Sequence, residues 1–266
     1  MPVATPLHLL DGRPWRDSDW VDPLSLLGCY TSFVVDGTGE VIDLPGHLER
    51  LRRDSARLLG REVDVELVRR LAADHVALVG APVRLRVALL AQTPPLQPQD
   101  VRALHVATSS RPVPPESARA WSVQTVQHVR TLPAVKAVDP FVQLHLKREA
   151  RLAGHDDALL CRGEALLEGT TWGLVALTAT AAVAPHADVL PSSGVTRVLR
   201  AAGLPVERRP LRRDELAQVR LLVASNAVAV ATAVARVDEQ DISVDLDLLA
   251  VVRHRNREER GVRLTG

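Results

Sequence analysis

The sequence predicts an α+β (mixed α/β) fold in two subdomains, and three observations predict it. Strand-like and helical periodicities alternate irregularly along the 266 residues, not as repeated strand–helix units. A Pro/Ser stretch, "SSRPVPPESARA" at 109–120, separates two ordered-looking regions. Hydrophobic residues are 46% and charged residues 24%, a globular balance, but aromatics are only 3%, so the core must be built from Ala, Val and Leu. The length suits one large or two modest domains. The boundary divides it into a smaller N-terminal α/β subdomain, 1–115, and a larger C-terminal subdomain, 116–266.

In chain order, "SFVV" and "EVIDL" read as a hairpin around the turn signal "DGTG". From Pro45 the pattern becomes helical: Leu48, Leu51, Ala56, Leu58 and Leu59 fall roughly on one face, and Gly60 suits the stop. "DVELVRRLAADHVALVG" (64–80) predicts a second amphipathic helix, and "VRLRVALLA" and "VRALHVATS" predict strands around a loop at 93–99. Beyond the boundary come a strand at 121–129, a helix at 140–153 and the strand "DDALLC". "EALLEGTTWGLVALTATAAVA" predicts a strand pair with a turn, and "SGVTRVLRAAGLP" a helix entered by glycine. The longest apolar stretch, "LLVASNAVAVATAVA" (221–235), carries Ser, Asn and Thr and is short of a membrane span, so it predicts strand, turn and strand. There is no internal repeat.

Net charge of +1 argues against a polyanion as the main partner. The runs "RRPLRRDEL" (208–216) and "RHRNREER" (253–260) mix acids with bases and read as solvated surfaces, so neither nucleic acid nor membrane is an expected partner. Cys29 and Cys161 are too few for a disulfide framework or a cysteine-rich zinc site, so no metal and a reducing cytoplasm are expected. The opening "MPVATPLHLLDGRPW" lacks a basic segment followed by a long apolar run, and no secretory leader is expected.

Of 33 Lys and Arg residues, only Lys136 and Lys147 are lysine. Charge alone can be supplied by either type. An amine can lose its proton when desolvated and attack a carbonyl, which guanidinium cannot do. The bias therefore points to a reactive lysine without choosing between the two.

Four segments in order, "HLERL" (47–51), "LPAVKAV" (132–138), "GHDDALLCRGEALLEGTTW" (154–172) and "SSGVTRVL" (192–199), resemble the class IV aminotransferase family, the fold-type-IV pyridoxal-phosphate enzymes. "SNAVAVATAVARVD" (225–238) fits the same family's late strand–turn–strand, and the resemblance spans roughly residues 28–240. It implies the two-subdomain fold of the D-amino acid/branched-chain aminotransferase type, a cofactor-binding 116–266 subdomain, pyridoxal 5′-phosphate and a homodimer. Lys136 falls where the family's covalent lysine falls, after Leu-Pro and ahead of a helix; Lys147, inside that helix, reads as a solvated helix face. Free lysine titrates near 10.4, so burial and the cofactor must lower that value before the amine can move protons. Glu168 matches the carboxylate partner of the pyridine nitrogen; taken alone, an acid ending a strand before Gly is a turn residue. Arg50 aligns with the phosphate arginine. Val195 and Thr196 stand at a helix start, where free N–H groups and the dipole favour an anion. Ser225 and Asn226 match the remaining phosphate-side turn, and His47 reads as structural. Two departures stand out: Gly173 replaces a frequent Asn, and "LPSSGVTR" is two residues longer than the commoner phosphate loop.

The front strand "GCYTSFVV" (28–35) resembles that of 4-amino-4-deoxychorismate lyases, and "SNAV" resembles their Cys-Asn-Ala-Leu segment. Tyr30 and Ser32 would then face a small-molecule amino substrate, Ser32 where the lyases place a functional threonine; taken alone, "YTSF" is a half-buried strand. The resemblance implies release of pyruvate and 4-aminobenzoate, a step toward folate. Two alternatives stay open: an aminotransferase acting on D- or branched-chain amino acids and 2-oxo acids, and a non-catalytic cofactor-binding homologue.

Overall fold

The computed structural model describes residues 7–15, 27–93 and 97–265. Part of the opening read for a leader (1–6) and part of the 93–99 loop lie outside the described residues. The chain forms two compact units: Met1–Pro114 with Val135–Asp139 and Arg260–Gly266, and Pro115–Ala134 with Pro140–Glu259. The chain thus passes from one unit to the other first within the Pro-rich stretch and again further on, and the segment carrying Lys136 belongs to the first unit.

The first unit contains β1 (His8–Leu10), β2 (Arg13–Pro14), β3 (Leu27–Val35), β4 (Glu40–Val41), α1 (Leu44–Leu59), α2 (Val65–Val79), β5 (Val83–Gln92) and β6 (Ala103–Arg111). An antiparallel sheet runs β2-β1-β6-β5-β3. Period-two alternation sends Phe33, Val35, Leu85, Val87, Leu89 and Val106 to one face, where they pack with Leu44 and Leu51 of α1 and Val68 and Ala72 of α2. α2 is capped by Asp64, whose side chain accepts the Glu66 and Leu67 N–H groups. α1 stops at Gly60, whose φ of 61° lies in the left-handed region that glycine adopts without a Cβ clash. The buried stripe of α1 is Leu44, His47, Leu51, Asp54, Ser55 and Leu59. The expected Leu48, Ala56 and Leu58 are only half-buried, because the helix turns three polar side chains inward. The "DGTG" turn forms, with Asp36 Oδ1 accepting from the Thr38 and Glu40 N–H groups, but β4 does not pair with β3.

The second unit contains β7 (Trp121–Gln127), α3 (Phe141–Leu152), β8 (Asp157–Arg162), β9 (Ala165–Gly169), β10 (Gly173–Leu177), β11 (Ala182–Ala184), α4 (Ser193–Ala202), β12 (Val206–Arg208), β13 (Leu211–Arg212), β14 (Leu221–Ser225), β15 (Thr232–Val237), β16 (Gln240–Asp241) and α5 (Leu246–Glu258). Its sheet runs β12-β11-β10-β14-β15-β7-β8-β9-β13. A rung between Gly173 and Glu168 joins β10 back to β9, closing six strands into a ring. Leu159, Cys161, Leu174, Leu222 and Val234 fill one apolar cluster, while Val175, Leu177, Val223 and Ala233 pack with α4 and α5 in another. β10 and β14 are therefore buried on both faces and read as continuous apolar runs. The 221–235 stretch is strand, turn and strand, and among the described residues no helix is long and apolar enough to cross a membrane. The 253–260 run is not simply solvated: Arg253 donates to the Ala231 and Ser117 carbonyls, Arg255 to Ala201 at the end of α4, and Arg257 to Glu116. A last strand, β17 (Val262–Arg263), lies in the first unit and pairs with β4.

Candidate active site

In the first unit, Lys136 runs alongside β3. Its carbonyl accepts the Tyr30 N–H at 2.9 Å, Ala137 bridges to Cys29, and Val138 N–H donates to Gly28 at 3.0 Å. Lys136 Nζ lies 4.8 Å from the centre of the half-buried Tyr30 ring, a cation–π distance. Arg86 approaches the same ring, also at 4.8 Å. Ser32 is buried, and its Oγ has no hydrogen-bond partner among the described residues.

Registers Ser32–Arg86–Ser109 and Val34–Arg84–Arg111 place all these residues with Tyr30 on the sheet face opposite the helices. Burial pushes the Arg84 guanidinium below its usual range, and Arg86 and Arg111 push the same way. No carboxylate among the described residues is paired with any of the three. This basic face escaped the sequence reading because arginine is everywhere in the chain; its signal is the R-x-R alternation in the otherwise apolar "VRLRV".

Arg50 is half-buried on α1, where burial lowers its guanidinium while the charges of Asp54 and Asp43 oppose that shift. His47 hydrogen-bonds Thr31 Oγ1 at 2.7 Å and packs against Phe33, within the helix–sheet core. Burial, with help from Asp54, pushes the Cys29 thiol up to about 12, so it stays protonated and is no nucleophile at neutral pH.

In the second unit, Glu168, Gly173 and Ser225 occupy one row across β9, β10 and β14. Glu168 is 4% exposed, accepts the Leu190 N–H at 3.2 Å and has Arg130 Nε at 3.8 Å. Ser225 is fully buried, and its Oγ has no partner among the described residues. The start of α4 lies over this row. A Cβ on Gly194 would meet the Asn226 backbone at 2.5 Å, so only glycine allows this approach. A Cβ on Gly173 would meet Val195 Cγ2 at 2.4 Å; the room for the family's Asn is filled by Val195. A cavity of about 110 Å³ is lined by Glu168, Gly173, Ser192, Val195, His186 and Arg208, the last two not foreseen.

Three expectations change. Val195 N–H is capped by Ser192 Oγ at 3.3 Å and Thr196 N–H bonds the Ser192 carbonyl at 3.1 Å, so neither amide is the free donor expected. Asn226 Oδ1 accepts the Val228 and Ala229 N–H groups, so its side chain builds the β14–β15 turn. Lys147 is no solvated helix face: its Nζ is 2.5 Å from Asp157 Oδ2, and that side chain is 0% exposed. Asp157 Oδ1 also accepts from Thr170 Oγ1 at 2.6 Å, next to the Glu168–Gly169 strand end. The acid was missed because "GHDDALL" looks like a polar turn entering a strand.

The profile of the family described as amino-transferase class IV matches residues 28–237. A search of curated proteins finds no match. Among solved structures, the chain is similar to a branched-chain aminotransferase from Thermoproteus uzoniensis with norvaline: TM-score 0.82, 19% identity, 94% of this chain and 93% of that one. It is similar to a hypothetical aminotransferase from Mycobacterium tuberculosis in a PLP-bound form: TM-score 0.77, 16% identity, 96% and 100% covered. The Escherichia coli branched-chain aminotransferase gives a TM-score of 0.79 at 17% identity, with 93% and 92% covered.

Proposed function

Because the chain belongs to the class IV amino-transferase family, we propose that it is a pyridoxal-phosphate-dependent enzyme whose substrate is a small amine bearing carboxylates. The observation that carries this reading is Lys136 Nζ beside Tyr30 on the sheet face that also presents Ser32, Arg84, Arg86 and Arg111. Each unit offers groups of the kinds this cofactor uses: the Lys136 amine in the first, and in the second the buried Glu168 carboxylate and the buried Ser225 hydroxyl without a partner among the described residues. When bound, pyridoxal phosphate supplies an electron sink for charge developing at the carbon next to the substrate nitrogen.

The chain's own groups do the rest. Lys136 holds and moves a proton at Nζ, beside the Tyr30 ring. Glu168 offers a negative charge, in a largely dry setting, to a ring nitrogen proton. Arg50 presents a guanidinium fork suited to phosphate oxygens, and Ser225 Oγ a hydroxyl donor. Arg84, Arg86 and Arg111 give carboxylates a place to bind where no acid among the described residues pairs with them.

Of the reactions open to such a site, release of pyruvate from 4-amino-4-deoxychorismate is our first reading. It is supported by Gly28-Cys29-Tyr30-Thr31-Ser32 and by a basic face that suits a substrate with more than one carboxylate. The second reading is an aminotransferase acting on D- or branched-chain amino acids and 2-oxo acids. It is supported by the similar solved structures, and the basic face would then take an acidic amino-group donor or acceptor. A non-catalytic homologue loses its motive, since Val195 explains Gly173. We also infer a homodimer, supported by exposed Phe141, Leu144 and Leu152 on α3, and a cytoplasmic enzyme, supported by two buried free cysteines.

The deciding experiment assays the purified protein with aminodeoxychorismate, and separately with amino acids plus 2-oxo acids. Pyruvate and 4-aminobenzoate without a 2-oxo acid support the first reading. Amino transfer alone replaces it with the second, and no turnover in either assay contradicts both.

A further inference from the structure

Asp54 is 0% exposed in the middle of α1, and the roles assigned above do not use it. Burying a carboxylate is costly unless its partners are well placed, so its surroundings carry information. Asp54 Oδ2 accepts the backbone N–H of Lys136 at 2.9 Å, across 82 residues of sequence. Asp54 Oδ1 accepts from Arg53 Nη2 at 2.8 Å and Nε at 3.1 Å. On its other side, the Lys136 peptide unit is held by Tyr30 N–H on β3. Arg50 stands four residues before Asp54, one helical turn away on the same side of α1. An ordinary core helix would place an apolar or small residue here, and the sequence "RRDSARL" resembles a solvated face.

We propose that Asp54 is a positioning residue that ties the Lys136 peptide to the helix carrying Arg50, fixing the amine and the guanidinium relative to one another before any ligand binds. The inference rests on the reading of Lys136 as the covalent lysine. It assigns Asp54 two separable jobs. As an acceptor it holds the Lys136 N–H, and as an anion it pairs with Arg53 and sets the charge one helical turn from Arg50.

Two probes separate these jobs in the full-length protein: pyridoxal 5′-phosphate, and pyridoxal, which lacks the phosphate. Affinity is read from the visible absorbance of the bound probe, alongside its pH midpoint and the thermal unfolding curve. Asp54→Ala should weaken both probes by about tenfold or more and move the pH midpoint, because the lysine peptide loses its anchor. Asp54→Asn keeps an oxygen for the Lys136 N–H, so pyridoxal should bind within about threefold of wild type while the phosphate form weakens about tenfold. Arg50→Ala should weaken only the phosphate form. If Asp54→Ala binds pyridoxal like wild type, or Asp54→Asn loses both probes equally or neither, the proposal is overturned. If Asp54→Ala does not fold, the Asp54→Asn comparison decides alone. Absence of a borohydride-trapped probe on Lys136 in wild type would instead defeat the underlying reading of the lysine.

Discussion

Lys147 and Asp157 lie 2.5 Å apart with the Asp157 side chain fully buried, so removing the lysine strands a charge. Lys147→Met should cost about 3 kcal/mol, the low end for a broken buried pair, since the lysine side chain is 21% exposed. Lys147→Met with Asp157→Asn should recover most of that loss; a single variant within about 0.5 kcal/mol of wild type in denaturant unfolding would contradict the pairing. Glu168→Gln tests the other buried acid. It should leave the cofactor bound yet lower kcat on the order of a hundredfold, because a neutral amide cannot hold the ring proton. A turn-only role predicts instead lower stability with normal turnover per folded molecule. At this scale the sequence singled out two lysines in an arginine-rich chain, Lys136 and Lys147, and the structure pairs Lys147 with Asp157. The sequence was least readable where a charged residue turns inward. Asp54 and Asp157 lie in polar-looking runs, and only long-range pairing reveals their burial.

The helix α4 meets β10 at Gly173, and the contact leaves no space for a larger residue. Gly173→Asn, restoring the family's frequent residue, should destabilise the protein by about 1–3 kcal/mol, and adding Val195→Ala should return at least half of it. An unchanged melting temperature for the single variant would show that Val195 is not what fills the position. Asp238 joins β7 to the turn after β15. Burial opposes its charge, but hydrogen bonds from the backbone and hydroxyl of Thr125 and from Arg213 outweigh burial and hold its carboxyl below the usual range. With the folded value below the unfolded one, the ionised group adds stability that is complete above about pH 3.9 and is lost as pH falls through the folded value. Asp238→Asn should therefore cost about 1 kcal/mol at neutral pH, discounted for solvent exposure, and the gap should close below about pH 4. A gap independent of pH would contradict this. Long apolar strands such as β5, β10 and β14 were legible because their pattern is local. The β4–β17 pairing and the Gly173–Glu168 rung were not, because pairing across more than 200 residues, or through a single rung, leaves no local mark.

For the whole molecule, the exposed Phe141, Leu144 and Leu152 of α3 are 69%, 53% and 68% accessible, and burying them against a second copy would remove apolar surface from water. Sedimentation at micromolar concentration should show a dimer, and Leu144→Glu with Leu152→Glu should shift it toward monomer; a wild type that sediments only as monomer would refute this. The central claim, however, is that one of two lysines carries the cofactor. Borohydride reduction of the protein loaded with pyridoxal phosphate, followed by peptide mapping, tests it most directly. The modification is predicted on Lys136 alone, and finding it on Lys147, or on no lysine, would contradict the account.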